Sequence, residues 1–508
     1  MLRATSGAAL AVARRSAIAS SKPALVLLLC AGTTLTIATL GDQSLWFDEF
    51  MTFSTGSPGD TLGQVFREQL LADVHPPLYG IFMHLWIGWA GASEAALRFP
   101  SLACFIITLG AAFHTERYLT GGRTYLALPA LVACTFGATF YAQEARSYAL
   151  LLLESWLITD LTIRIVDCVT ARRSRPELVV FHFVAAILAS FTHYFGFLVA
   201  AGAFAVILIA ATWAGSGAKH ASWSAALIAV LFFPWIGYHL AAIRHLTGGM
   251  FWIDNDVVGL ARGVARLLFG TLPAALAAMA LLATVVLGHR ILDHRRPGDS
   301  KAVPFERLLP LLGIVLFSVA AAAVISLHTP VMTARNLIVL LPALLIGLFL
   351  TFHGSGFSGR RQVLLSLLVT IFFAGSSTAD GEKEDWRLAG ATLGRYPACD
   401  TAPVLTLRHG THSSEIYQYY VTNGVRPRFI PTMYGSRKAT MHTRGAVDLT
   451  AALDSHLPDL TASPCPVMLW AGHVDDDTAL AIPGLFRERG VPYRIVHTRG
   501  NLLLLKED

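Results

Sequence analysis

The chain has 508 residues, 54% of them hydrophobic and 14% charged, with a mean hydropathy of +0.55 and a net charge of +6. Soluble domains carry about 25% charged residues, so an ordinary soluble protein is excluded and a polytopic membrane protein is expected. The basic residues fall in short clusters between apolar runs, not in one patch, which excludes a nucleic-acid surface and reads as membrane topology.

Arg3, Arg14, Arg15 and Lys22 precede the first apolar run, placing residues 1–22 in the cytoplasm and sending 23–40 outward across the bilayer. That run is longer than the apolar core of about 7–15 residues of a signal peptide, so it reads as an uncleaved anchor, with a cleaved signal as the rival. The next basic clusters are Arg117/Arg123, Arg172/Arg173/Arg175, Lys219, the stretch 289–301 and Arg360/Arg361. If all are cytoplasmic, an even number of spans separates each neighbouring pair. Segments 97–115, 124–141, 146–166, 179–194, 195–213, 222–240, 266–288, 306–326, 335–352 and 362–376 meet this condition, provided that 77–90 does not cross. That segment is shorter than the roughly 20 residues a span needs and carries Tyr79, Trp86 and Trp89, so it is expected to lie along the outer surface. The expected fold is therefore a polytopic α-helical membrane domain over 23–376 with about eleven transmembrane helices, N-terminus inside and C-terminus outside.

The first outer loop, 41–96, is long, acidic and aromatic, and presents Asp48 and Glu49 just beyond the first span. Adjacent carboxylates suit a base or metal ligand with an orienting neighbour; a merely wet, acidic loop is the alternative. In His75-Pro76-Pro77 the prolines hold the chain extended before a helix, keeping His75 at headgroup level, either contacting a phosphate or hydroxyl or capping the surface helix. Tyr141, Gln143, Glu144, Arg146 and Tyr148 crowd into the next outward connection, supplying donors for an anion arriving from the lipid, although an arginine there also serves as a headgroup anchor. Further outward candidates are His193-Tyr194, Arg244-His245, Trp252 with Asp254, and His328 followed by Arg335-Asn336. Glu154 and Asp160 lie inside an inferred span, where acids are functional suspects, but on its inner half, and are expected to pair with neighbouring helices.

The composition changes near Gly375–Asp380: residues 376–508 hold 29 charges in 133 positions, against 43 in the first 375. The tail, 377–508, reads as a small outer α/β domain in which PVLTLR, PVMLWAG, PYRIVHT and NLLLLK form strands, and it has no nucleotide-binding glycine motif. Cys30, Cys104, Cys134 and Cys168 fall within or beside spans, whereas Cys399 and Cys465 each precede a strand-like run. Neighbouring parallel strands would bring those two to one sheet edge, giving a disulfide in an oxidising compartment; two separate buried thiols are the alternative.

Taken in order, SLWFDEFMT, DVHPPLY…HLW…GASEAALRFPSL, FYAQEARSYALLLL, THYFG, TARNLIVLLPALL and EKEDWRLAGATL resemble the bacterial members of the protein O-mannosyltransferase-like superfamily. These are GT-C class membrane glycosyltransferases related to the lipid A aminoarabinose transferase. The resemblance covers about 380 residues and implies transfer of a hexose or pentose from a polyprenyl-phosphate donor, at the periplasmic face of the bacterial inner membrane, to a lipid, glycan or protein acceptor; a single displacement with one carboxylate base would make that transfer inverting. It implies Asp48 as base or metal-linked residue with Glu49 as partner, 77–90 as the juxtamembrane helix, and His75 and Arg146 near the donor phosphate. Tyr141, Gln143, Tyr148 and Arg335 are expected on the donor side, and His193, Tyr194 and His245 at an acceptor or metal site. Many members carry Arg-Tyr where this chain has Arg335-Asn336. No cofactor is required by this reading; a divalent metal ion is the one candidate. The partners are then the donor, the acceptor and membrane lipids, with no nucleic acid. A transporter or lipid-linked-sugar flippase, the competing class, would set its polar residues at mid-bilayer on broken helices, whereas here they gather at outer loop ends.

Overall fold

In the computed structural model the described residues are 22–507, without 57–58, 72, 216–226, 229, 240, 242–255, 296–304, 355–360, 380–382, 408–412, 422–426, 434–446, 473–475 and 499. Arg244, His245, Trp252 and Asp254 lie outside them.

The apolar runs fold as helices because, in a bilayer, backbone donors and acceptors must be paired within the segment itself. In chain order they are α1 (Lys22–Ala38), α2 (Phe47–Thr55), α3 (Leu78–Ala90), α4 (Glu94–Leu119), α5 (Ala127–Cys134), α6 (Phe136–Tyr141), α7 (Tyr148–Thr170), α8 (Pro176–Thr192) and α9 (Tyr194–Trp213). A helix over 230–239, α10, follows. Then come α11 (Val257–Phe269), α12 (Leu272–Arg295), α13 (Phe305–Ser326), α14 (Leu341–Gly354) and α15 (Arg361–Thr378). Helical residues occupy most of the described part of every segment expected to span. Among the described residues, α4, α9, α13 and the stretch Asn336–His353 are long and apolar enough to cross a membrane, and the bent pair α11–α12 makes a fifth. That is fewer than the eleven expected. The 13-residue α3 is about 20 Å long, too short for a 30 Å hydrocarbon layer. Its Leu85 and Trp89 are 59% and 79% exposed, an apolar face suited to lying on a membrane.

Two expected spans are interrupted. Thr135 (φ −78°, ψ 124°) is extended and divides 124–141 into α5 and α6. The segment expected at 266–288 starts earlier and bends by 76° between α11 and α12. The bend is possible because Gly270 takes φ 74° and lies against α15: a Cβ on it would stand 2.3 Å from the Gly375 carbonyl oxygen. Of the acids inside α7, Glu154 accepts on Oε1 from Thr192 of α8 at 2.9 Å while its buried Oε2 has no partner, and Asp160 pairs with Arg164 of its own helix, not with a neighbour.

After α15 the chain forms α16 (Trp386–Leu393), β1 (Pro403–Leu407), α17 (Ser413–Tyr420), β2 (Arg428–Met433), β3 (Val447–Asp448), α18 (Leu449–Ala462), β4 (Val467–Gly472), α19 (Asp476–Glu488), β5 (Tyr493–Thr498) and β6 (Asn501–Lys506). The sheet order is β3-β2-β1-β4-β6-β5, parallel from β3 to β4 and antiparallel through β6 and β5. Period-two alternation splits β6 between two cores. Leu502 and Leu504 join Leu453 and Phe486 under α18 and α19, while Leu503 and Leu505 join Trp386, Trp470 and the first-loop residues Leu45, Phe50 and Met83. The sheet is thereby seated on the first loop. Because β1 and β4 are parallel neighbours, the residues just before them meet, and a disulfide joins Cys399 to Cys465 with their Cα atoms 4.3 Å apart.

Candidate active site

Beyond the C-terminal end of α1, three stretches remote in sequence meet: the start of α2, the connection 142–147 between α6 and α7, and the segment 383–387 that leads into α16. Glu49 closes the first turn of α2 by accepting from the Trp46 N–H at 3.3 Å. Its other lone pairs serve a buried ion cluster. Oε1 accepts from Arg98 Nε and from the Ala145 N–H, each at 2.8 Å, and Oε2 accepts from Arg98 Nη2 at 2.8 Å and from Lys383 Nζ at 3.2 Å. Arg98, in the first turns of α4, spends its remaining donors on the carbonyls of Leu40, Gln43 and Ser44 at 2.7–3.0 Å. Burial alone would raise the pKa of Glu49, but Lys383 and Arg98 outweigh it and hold the group at about 2, so it stays ionised.

Glu144 lies at the edge of the same cluster and is fully buried. Neither of its carboxylate oxygens has a hydrogen-bond partner, and Lys383 Nζ is 4.0 Å away. Burial, with Glu49 and Asp48 nearby, pushes its pKa up to about 8 against the pull of Lys383 and Arg146. A carboxyl raised from 4.5 to about 8 binds more protons folded than unfolded. Its neutral form leaves stability intact below pH 4.5, and that stability is lost as pH climbs toward 8. The wild-type chain should therefore lose melting temperature between pH 5 and 8, and Glu144→Gln, which copies the protonated form, should flatten that fall. An equal fall in both proteins would show that Glu144 is ionised throughout.

Asp48, next to Glu49, faces different surroundings. Its side chain is 23% exposed, and Oδ2 accepts from Arg335 Nη1 at 2.6 Å. Arg146 donates from Nη1 to the Asp48 carbonyl oxygen at 3.1 Å, while its buried Nε has no partner. Two guanidinium groups thus address one residue, one at its carboxylate and one at its backbone. From here a line of rings leads away: Tyr141 and Tyr148 have centroids 4.7 Å apart, Tyr148 and His193 6.0 Å, and His193 and His75 5.5 Å. His75 donates from Nδ1 to Asp73 at 2.8 Å. Tyr194 hydrogen-bonds His239, whose other ring nitrogen donates to the Asp73 carbonyl. His193 sits in the one-residue break between α8 and α9, and its Nδ1 accepts from the Phe195 N–H at 3.1 Å.

The structure therefore brings Asp48, Arg146, Arg335, Tyr141, Tyr148, His193, Tyr194 and His75 into one neighbourhood. Gln143 stands apart from them. It accepts from Thr39 at 2.8 Å and lines a cavity of about 530 Å³ bounded by Thr36, Gln43, Phe136, Phe140 and Lys383. His328 is exposed beyond α13. Asn336 donates to the Val331 carbonyl at 2.9 Å, bracing the turn that presents Arg335. The residues that motif reading passed over are Arg98, Lys383, Asp73 and His239. For the first two a signal existed, because buried acids at a membrane edge require cations and both lie within quoted motifs. Among the described residues no group of three or more His, Cys, Asp or Glu is arranged to hold a metal ion, and Asp48 is paired with a cation instead.

No protein-family model matches the chain, and no curated protein matches it. Its fold is that of the crystal structures of ArnT from Cupriavidus metallidurans. The apo structure aligns with a TM-score of 0.54 at 12% identity, covering 94% of this chain and 97% of that one. The structure bound to undecaprenyl phosphate aligns with a TM-score of 0.53 at 13% identity over the same shares. The GT-C membrane fold expected from the resemblance is the one found.

Proposed function

We propose that the chain is an inverting glycosyltransferase that moves a sugar from a polyprenyl phosphate to an acceptor hydroxyl at the outer membrane face. The observation that carries this reading is Asp48, its carboxylate held by Arg335 and its backbone carbonyl by Arg146, just beyond the first apolar helix. In the reaction the acceptor O–H gives its proton to Asp48 as the oxygen bonds to the anomeric carbon. The bond from that carbon to the phosphate oxygen breaks, and its electron pair leaves on the phosphate. A single displacement from the opposite face inverts the centre, by the stereochemical logic of glycosidases. The leaving group departs as an anion, so cations, not an acid, are needed. Arg335 and Arg146 supply them, and a phosphate that draws Arg335 away would leave Asp48 a stronger base. That one structure of the same fold holds undecaprenyl phosphate supports a polyprenyl donor here. Eleven spans with the N-terminus in the cytoplasm and the sheet domain in the periplasm complete the reading, and a disulfide suits that compartment.

Purified protein incubated with labelled polyprenyl-phosphate sugars tests the class of reaction; no transfer with any donor would remove it. The role of Arg146 is read by binding of polyprenyl phosphate alone. Arg146→Ala should weaken it roughly 10- to 100-fold, the value of a hydrogen bond to a charged group, and Arg146→Lys by less, since charge remains but the planar fork is lost. Wild-type affinity in both variants would make Arg146 a headgroup anchor only.

A further inference from the structure

Besides the packing of the sheet and of Tyr419 and Tyr420 on the first loop, the tail reaches toward the candidate active site with a short segment that carries a buried cation. The Lys383 N–H donates to Gln43 Oε1 at 2.9 Å, the Ser44 hydroxyl donates to the Glu384 carbonyl at 2.7 Å, and the Trp386 N–H donates back to Ser44 Oγ at 3.0 Å. Arg387 pairs with Glu94 and donates to the carbonyls of Gly41 and Asp42. Residues 383–387 are thus stitched to 41–47, the approach to α2. From the start of this stitch the Lys383 side chain, 5% exposed, reaches further inward. It donates to Glu49 Oε2 at 3.2 Å and to the Gln143 carbonyl at 2.7 Å. Those two acceptors belong to different elements. Glu49 is the chain neighbour of Asp48, and Gln143 lies three residues before Arg146.

We infer that Lys383 is a positioning residue for sugar transfer: it clamps the start of α2 to the 142–147 connection, and so sets Asp48 against Arg146. It touches neither Asp48 nor the place where a phosphate would sit, so it acts through the two elements it joins. Arg98 also neutralises Glu49 but reaches only the carbonyls of residues 40–44 beyond it, so Lys383 alone of the two cations ties α2 to the connection. The sheet domain then has a function in the reaction, delivering this ammonium group to a residue 334 positions earlier in the chain. The inference rests on the glycosyltransferase reading.

The test compares wild-type protein with Lys383→Met and Lys383→Arg, all full length, with Lys383→Gln in place of Lys383→Met should the latter not yield folded protein. Turnover is measured per folded molecule with a polyprenyl-phosphate sugar, and amide exchange is followed at residues 46–49 and 143–146. Misplacing a catalytic group by about 1 Å costs on the order of 100-fold, so kcat of the uncharged variant should fall 10- to 100-fold. KM for the donor should change far less, exchange should quicken in both segments, and Lys383→Arg should recover most of kcat. Faster exchange without a loss of kcat would leave Lys383 a stabilising contact only, and a loss of kcat without faster exchange would mean that it acts by another route; either overturns the inference. A wild-type chain that transfers no sugar would instead remove the glycosyltransferase reading, and exchange alone would then decide whether Lys383 clamps the two segments.

Discussion

Asp48→Asn is expected to abolish sugar transfer and leave the fold in place. Asn keeps the size of the side chain and can still accept from Arg335, but it cannot take the acceptor's proton. Loss of a general base costs about 100-fold or more, so turnover above about 10% of wild type would rule out the role. Stability should change little. The ion pair with Arg335 is part-exposed, at 23% and 29%, and such pairs contribute at most about 1 kcal/mol. Transfer of a labelled sugar, measured beside melting temperature and elution profile in detergent, separates the two effects. Together the outcomes distinguish a base from a structural carboxylate at the same position.

Arg98→Met should have the opposite signature, with little folded protein recovered. Arg98 is 1% exposed and its guanidinium meets Glu49 through two parallel bonds while holding three carbonyls of the first loop. Removing one partner of a buried ion pair strands the other and costs about 3–5 kcal/mol, comparable to the whole stability of many domains. Arg98→Lys keeps the charge but not the fork and should fall between. In Arg98→Met/Glu49→Met the stranded anion is gone, and Glu144, 4.0 Å from Lys383, can ionise to balance it. The double variant should therefore yield more folded protein than Arg98→Met alone. Recovery of Arg98→Met at wild-type levels would show that Lys383 suffices for Glu49.

Much of the helical layout was legible because apolar length and basic clusters act locally along the chain. What failed was local too, but subtler. The bend at Gly270 follows from a close approach to Gly375 that no run of apolar residues reveals, and the break at Thr135 falls in a stretch that reads as continuous. In the tail the strands around Val404 and Val467 were plain from their apolar character. β2 was missed because Pro431 sits within it, paired with Thr406, and proline argues against a strand. At the site, motif reading named Asp48, Arg146 and Arg335, since charge beside an apolar run is conspicuous. It named Asp48 as base and Glu49 as its partner, but adjacency in sequence hid that Arg98 and Lys383 hold Glu49 in a buried ion cluster while the Asp48 carboxylate meets Arg335. Gln143 was grouped with Arg146 for the same reason, yet the short connection turns the two toward different spaces.

The stitch between residues 41–47 and 383–387 also has a meaning in time. A ribosome adding about 5–20 residues per second needs on the order of 20–70 s to make the 340 residues that separate Gln43 from its partner Lys383. Through that interval Glu49 and Arg98 can already meet, being 49 positions apart, but the first loop lacks Lys383, Trp386 and the aromatic pair Tyr419 and Tyr420 that pack on Phe50. Its apolar residues wait uncovered at the membrane surface, and Asp48 has no Arg335 beside it until much of the chain has emerged. An interrupted polypeptide would insert its early helices and still present an unfinished first loop. The site can assemble only once Lys383, Trp386, Tyr419 and Tyr420 have been made, however early its first residues emerged.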